Sequence, residues 1–228
     1  MKKKEIIFPQ TTLKYLRKLK KNNAREWFTE HKDEYETDFL LPAQIFVEEI
    51  GYELNKVAPG FHAIPQIDKS IFRIYRDTRF SKDKTPYKTH LGVYFWEGAG
   101  KKMESSGMYF HLEPGNSFVA VGMHYFPPQI LKKYRETVSN HERAKELKGI
   151  LNKISGEKGY KLSTPHYKRV PKGFEKDYKH ADLLLNNCVY AFKEISENEF
   201  EEKTAVKITM KIFKDLRPLH DWLFENLF

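Results

Sequence analysis

The chain has 228 residues, of which 40% are hydrophobic and 31% charged, and its formal net charge is +9. No apolar run approaches the roughly 20 residues that a bilayer span needs, which excludes a transmembrane helix. The single cysteine excludes an internal disulfide and predicts a cytoplasmic protein. The length is short for two domains of usual size, so one domain over residues 1–228 is predicted.

The first third of the chain is predicted to be helical. Leucines at 13, 16 and 19 give residues 11–21 one apolar helical face. A second helix is expected to follow Asn23, with Asn23 as its N-cap, Glu26 closing a capping box, and Trp27 mostly buried. A third helix is expected to start at Leu41 with Pro42 in its first turn.

The middle of the chain changes to a strand pattern. Residues 70–76 and 89–97 are predicted strands, and residues 107–126 are a predicted hairpin. Its turn, Glu113-Pro114-Gly115-Asn116, places proline and glycine for a type II turn. In this register one face is a predicted core face, formed by Met108, Phe110, Leu112, Val119, Val121 and Met123. The other face is either solvated or the floor of a cleft, and it is formed by Tyr109, His111, Phe118, Ala120, Gly122 and His124.

Helices are predicted again after Pro127-Pro128, over residues 129–138 and 142–154. Residues 181–185 begin a helical or mixed piece, and residues 204–227 form an amphipathic helix that Pro218 should kink or split. The predicted fold class is therefore α+β, a central antiparallel sheet with a hairpin, flanked by N-terminal and C-terminal helices.

The segment from Arg73 to Lys88 is the densest in chemistry-bearing residues. Residues 68–88 carry seven lysines and arginines against three aspartates. Guanidinium groups and turn amides suit a phosphate or carboxylate, so an anion cleft is predicted. Its candidate ligand-binding residues are Arg73, Tyr75, Arg76, Arg79, Lys84, Tyr87 and Lys88, with Asp77 and His31 as acid–base candidates. In the alternative, Asp77 and Asp83 pair with neighbouring cations and only pin the turn.

Several stretches of the chain resemble a known family. They are Asn22-Asn23-Ala24-Arg25-Glu26-Trp27-Phe28 with His31-Lys32 and Tyr35, the segment from Arg73 to Lys88, residues 122–127, and Lys168-Arg169-Val170-Pro171-Lys172-Gly173-Phe174. These are similar to the domain-of-unknown-function family 2461, over about residues 8–225. The resemblance implies one domain and a role for the segment 73–88, and it implies no established activity. The family pattern places a basic residue after the leucines at 183–185, where this chain has Asn186-Asn187-Cys188.

Three functions remain open at this point. The first is binding of a small anionic ligand in a basic cleft around Arg73 to Lys88, with or without catalysis. The second is nucleic-acid binding, which a pI near 9.3 favours. The third is a protein-interaction module without chemistry. A concave pocket would favour the first, a continuous basic stripe the second, and a flat ion-paired patch the third.

No metal site and no cofactor are predicted. The nine histidines show no HxxxH or HxxEH spacing, and one cysteine cannot build a thiolate zinc site. In the predicted hairpin, His111 and His124 lie about 20 Å apart, too far to share an ion. The oligomeric state does not follow from the sequence.

Overall fold

The computed structural model of the protein describes residues 8–100, 102–202 and 204–228, with only the backbone of Glu202. The helices are α1 (Gln10–Lys21), α2 (Arg25–Glu30), α3 (Lys32–Glu34), α4 (Leu41–Val57), α5 (Pro128–Ser139), α6 (His141–Asn152), α7 (Glu197–Glu202) and α8 (Ala205–Leu227). Shorter helical stretches are the π-helical Tyr35–Leu40 and Lys153–Glu157 and the 3-10 helix Ala181–Leu185.

The strands are β1 (Phe61–His62), β2 (Leu91–Glu97), β3 (Gly107–Leu112), β4 (Ser117–Met123), β5 (Lys161–Leu162) and β6 (Val189–Ile195). They form a six-stranded antiparallel sheet in the order β1-β2-β3-β4-β6-β5. The α+β class is thereby confirmed. Among the described residues, no helix combines the length and the apolar character that crossing a bilayer requires.

The hairpin between β3 and β4 has the predicted turn. Gly115 adopts a φ of +79°, which a type II turn requires of its third residue, and Asn116 N–H donates to the Glu113 carbonyl at 3.0 Å. The side chains of the predicted core face are all buried: Met108, Phe110, Leu112, Val119, Val121 and Met123. The turn and the burial of this face therefore agree with the predicted pattern of the hairpin.

Residues 70–76 do not form the predicted regular strand. Apart from a parallel bridge between Ile67 and Ile71, they make two isolated bridges to the segment that follows, Ile71 with Val93 and Tyr75 with Tyr87. The ladder cannot continue, because the bend at residues 89–90 separates the two bridges and Pro86 has no N–H to donate.

The predicted start of the second helix is also wrong. The N-cap of α2 is Ala24, which makes no side-chain capping bond, and Trp27 is only half-buried. Phe28 is the buried aromatic residue of this helix. Near the other end of the chain, α8 passes through Pro218 without being split.

The described residues divide into two compact units. The first combines residues up to 95 with 109–119 and 194–210, and the second combines 96–108, 120–193 and 211–228. The prediction of one domain stays a prediction. The first unit has an aromatic core in which the rings of Phe46 and Phe110 lie 4.6 Å apart.

The second unit has its own core, which includes a buried histidine. His220 is fully buried, with Nε2 2.8 Å from Glu97 Oε2 and Nδ1 3.0 Å from Ser106 Oγ. Burial lowers the pKa of His220, although the Glu97 carboxylate opposes the shift. The folded chain therefore holds this imidazole neutral at a pH where the unfolded chain already binds a proton.

We expect stability to fall as the pH drops below the unfolded histidine pKa of about 6.5, because the unfolded state then binds more protons. Urea melts at several pH values should give a shallower pH slope for His220→Gln than for the unmodified protein. The control is His124→Gln at an exposed histidine. Equal slopes for the protein and His220→Gln would contradict the assignment.

Candidate functional site

The segment 73–88 forms an extended loop that closes on itself. Arg76 N–H donates to the Pro86 carbonyl at 2.9 Å, and Lys88 N–H donates to the Ile74 carbonyl at 2.8 Å. The backbone between these pairs reverses direction and is largely exposed. The loop is therefore a defined element whose two ends are held together by backbone bonds.

The base of this loop is attached to the connection between α1 and α2. Asn23 Nδ2 donates to the Tyr87 carbonyl at 2.9 Å, and Tyr87 N–H donates to Asn23 Oδ1 at 3.1 Å. The Phe28 ring stacks on the Tyr87 ring at 4.2 Å. Two separate stretches that carry the family resemblance thus meet at Tyr87.

Two arginines of the loop are paired within it. Arg79 donates to both carboxylate oxygens of Asp77, at 3.0 and 2.7 Å, and this lowers the pKa of Asp77 to about 2. Arg76 pairs with Asp83 and also reaches Thr85 Oγ1. The Thr85 amide first, and then Arg76, lower the pKa of Asp83 to about 2. Arg76 and Arg79 therefore form the ion pairs with aspartates that were expected if the segment only stabilises its own turn.

The remaining cations of the loop differ in their partners. Lys84 Nζ folds back and donates to the Thr78 carbonyl at 2.9 Å, and Lys88 Nζ donates to the Arg73 carbonyl at 2.8 Å. Burial and the Arg73 charge lower the pKa of Lys88, while Asp68 opposes them. The Arg73 guanidinium is exposed and has no hydrogen-bond or ion-pair partner among the described residues.

Phenol groups gather beside the loop. Tyr15, Tyr35 and Tyr87 are buried, whereas Tyr75 is 53% exposed. Burial raises the pKa of Tyr35 to about 12, with the Tyr75 phenol adding to the shift. Burial also raises the pKa of Tyr15, whose hydroxyl is buried and has no hydrogen-bond partner among the described residues. Buried hydroxyls usually have a partner, so an unmatched one here is notable.

The two acid–base candidates, Asp77 and His31, contact different residues. Asp77 is held by Arg79, and a carboxylate with a pKa near 2 is a weak general base at neutral pH. His31 stacks on Trp27 at 4.1 Å, and its Nδ1 lies 2.8 Å from the Trp27 carbonyl. Their catalytic roles stay predictions that these contacts do not favour.

A second group of side chains was missed by the sequence reasoning. His90, His111 and Glu113 each bring one ligand atom into a group whose atoms all lie within 4.8 Å of one another. His111 Nε2 is 3.4 Å from Glu113 Oε2, and the rings of His90 and His111 are 4.4 Å apart. The His/Glu cluster, as we call these three residues, includes His111 from the hairpin face that the sequence leaves open between solvent and a cleft.

The electrostatics of the His/Glu cluster favour neutral imidazoles and an ionised carboxylate. Burial lowers the pKa of His90 to about 4, and burial also lowers the pKa of His111 against the opposing Glu113 charge. Burial would raise the pKa of Glu113, but hydrogen bonds from Asn116, His111 and Thr89 outweigh it and lower the pKa.

A sequence signal for this cluster did exist. His111 and Glu113 are two residues apart and share one side of an extended chain. His90 directly precedes β2, which neighbours β3 in the sheet. A search for local HxxxH spacing could not find a group assembled across two strands.

Comparisons with known proteins bear on the family and not on the chemistry. No curated protein and no solved structure matches the chain. One family model, described as "Conserved hypothetical protein (DUF2461)", matches residues 11–222. That match covers most of the 228 residues and agrees with the resemblance of the motif segments. The chain therefore belongs to the DUF2461 family of conserved hypothetical proteins.

Proposed function

We propose that the protein binds a small anionic ligand, bearing a phosphate or a carboxylate, at the base of the loop 73–88. The residues proposed to hold it are Arg73, Tyr75 and Lys88. This set is narrower than the one expected from the sequence. Arg76 and Arg79 are omitted because aspartates already pair with them, and Tyr87 because it is buried. Lys84 and Lys88 each donate to a loop carbonyl, but only Lys88 is kept, because burial and the charge of Arg73 lower its pKa, and the second effect places the two cations near each other.

The observation that carries the proposal is that the Lys88 ammonium is bound to the backbone of Arg73, where burial and the charge of Arg73 lower the Lys88 pKa. The half-buried ammonium of Lys88 is fixed on the backbone carbonyl of Arg73, whose own guanidinium has no partner among the described residues. Like charges held close together repel, and an anion between them would relieve that repulsion. A guanidinium and an ammonium together also supply the donors that phosphate and carboxylate oxygens accept.

Tyrosine hydroxyls add further support. Arg73 and Tyr75 are both exposed, and they flank the buried Ile74 in the chain. The partnerless hydroxyl of Tyr15 belongs to the same group of phenols as Tyr75. Phenol donors beside two cations would complete a polar site for an anion's oxygens.

Thermal unfolding tests the proposal directly. Inorganic phosphate, or a phosphorylated metabolite, should raise the melting temperature relative to sodium chloride at equal ionic strength, because a ligand of the folded state stabilises it. At about 100 times the dissociation constant the stabilisation would be about 2.7 kcal/mol. Arg73→Ala should abolish this stabilisation without changing the melting temperature in chloride.

The control for Arg73→Ala is Lys82→Ala, which removes one exposed charge from the same loop. Arg79→Ala is a second comparison, since its guanidinium is occupied by Asp77. If phosphate stabilises Arg73→Ala and Lys82→Ala equally, the effect comes from net charge and the proposed site is wrong.

A second candidate, nucleic-acid binding, rests on Phe80. This side chain is 95% exposed, and the Arg79 guanidinium lies 5.8 Å from its ring centre. An exposed aromatic ring among cations is the arrangement on which single-stranded bases stack.

Fluorescence anisotropy with short single-stranded oligonucleotides, at about 50 and 200 mM salt, tests this candidate. Binding that weakens about tenfold in Phe80→Ala, but not in Tyr52→Ala, would support it. Tyr52 is a matched control, because it is 66% exposed and has Lys56 over its ring. If neither anions nor oligonucleotides bind, the protein-interaction alternative is the one that remains.

A further inference from the structure

We infer that His90, His111 and Glu113, the His/Glu cluster, form a binding site for one divalent transition-metal ion of the zinc type. This inference does not depend on the proposed anion site. Two imidazoles and one carboxylate are a ligand set that zinc, cobalt(II) and iron(II) accept, and hard ions such as magnesium prefer oxygen ligands alone. The three ligand atoms already lie within 4.8 Å of one another, so small side-chain rotations would close them around an ion.

The backbone that carries the three ligands lies at the adjoining ends of two strands, with His90 in the bend at residues 89–90. His111 is part of β3, Glu113 begins the turn that follows, and His90 directly precedes β2. Because β2 and β3 are hydrogen-bonded neighbours, the start of one strand lies beside the end of the other. A site on paired strands is held more precisely than a site on free loops.

Neighbouring polar groups orient the ligands as they do in metal sites. The Tyr109 hydroxyl is hydrogen-bonded to His111 Nδ1 at 2.9 Å, which leaves Nε2 directed toward Glu113. Thr89 Oγ1 donates to Glu113 Oε1, and Asn116 Nδ2 donates to Glu113 Oε2, each at 3.2 Å. Metal-bound histidines and carboxylates commonly have such outer partners, which fix the ring orientation and the carboxylate position.

Aromatic packing fixes the central ligand further, and the site keeps a small exposed surface. The Phe118 ring stacks on the His111 ring at 4.7 Å. The side chains of His111 and Glu113 keep 10% and 20% of their surface exposed. An ion can therefore enter, and three protein ligands leave a position for water or a substrate oxygen, as in catalytic zinc sites.

Calorimetric titration of the metal-free, untagged protein with zinc sulfate tests the inference. One ion per chain should bind, and cobalt(II) should give the visible absorption of a low-symmetry nitrogen–oxygen site. His90→Ala and His111→Ala should each weaken zinc binding at least 100-fold. The control is His124→Ala, which removes an exposed histidine outside the cluster and should leave the affinity unchanged.

Glu113→Gln covers the case in which a histidine variant fails to fold. It keeps the size of the side chain and removes the charge that the metal needs, so it should fold and still lose zinc affinity. Two results would overturn the inference: absence of a stoichiometric site in the unmodified protein, or zinc binding by Glu113→Gln at the original affinity. Neither result bears on phosphate binding by Arg73, so the two proposals fail separately.

Discussion

Replacing Gly122 with alanine is expected to lower the free energy of unfolding by about 3 kcal/mol or more. Gly122 has a φ of +128°, a conformation that side chains disfavour. A Cβ at this position would lie 2.4 Å from the Val189 carbonyl oxygen and 2.7 Å from the Tyr190 Cα. Both atoms belong to the backbone of β6, so relief requires moving a strand and not merely rotating a side chain.

Urea denaturation of the Gly122→Ala variant measures this loss. The matched control is Gly149→Ala in α6, where an added Cβ would have no atom within 4 Å. That control should keep or gain stability, by about 0.5–1 kcal/mol, because alanine is the better helix former. Equal stability of the two variants would mean that β6 does not lie against Gly122.

The environment of Gly122 is also a feature that the sequence does not predict. The sequence leaves the hairpin face that contains Gly122 open between solvent and a cleft floor, but the backbone of β6 occupies the space next to Gly122. The strand β6 was not predicted at all, although Val189 and Ala191 are buried and alternate with the less buried Tyr190 and Phe192. Which strand covers a given face of the sheet depends on contacts between residues far apart in the chain. The periodicity of apolar residues within one segment carries no information about these contacts.

Local patterns succeeded where the structure is local. The predicted helix over 11–21 is observed as Gln10–Lys21, and the hairpin turn at Gly115 has its predicted conformation. An apolar helical face and a proline–glycine turn each depend on residues close together in the chain, so both can be predicted directly from the sequence. The six-stranded order β1-β2-β3-β4-β6-β5 has no such local signal.

In the candidate sites, too, local contacts were predictable and long-range contacts were not. Ion pairs of Arg76 and Arg79 with aspartates two to seven residues away were foreseen as an alternative. The His/Glu cluster was missed, because His90 and His111 are 21 positions apart and meet only through strand pairing. The sequence therefore indicates which residues could form a site, but long-range strand pairing determines which of them meet.

Asn23 is the residue for which a local rule and a long-range contact compete. Its position before α2 predicts an N-cap, yet its amide bonds both backbone groups of Tyr87. Tyr87 is 4% exposed, so its N–H and carbonyl would lose their partners inside the protein if the amide were removed. An unsatisfied buried polar group costs about 1–3 kcal/mol.

Asn23→Ala is therefore expected to lower the free energy of unfolding by about 2–4 kcal/mol, since two buried groups lose a partner together. The control is Asn22→Ala at the neighbouring position, where the amide donates only to the exposed end of α1 at the Lys18 carbonyl. That variant should lose less than about 1 kcal/mol. Proteolysis should then cut the loop 73–88 faster in Asn23→Ala than in Asn22→Ala, because the loop base would keep the aromatic contacts of Phe28 with Tyr75 and Tyr87 but lose its hydrogen bonds to Asn23. If instead Asn23→Ala and Asn22→Ala lose the same small amount, and the loop is cut at equal rates, Asn23 acts only as a helix-end residue. Aromatic packing would then hold the base of the loop, and the Asn23 amide would not contribute to the contact between the α1–α2 connection and the loop 73–88.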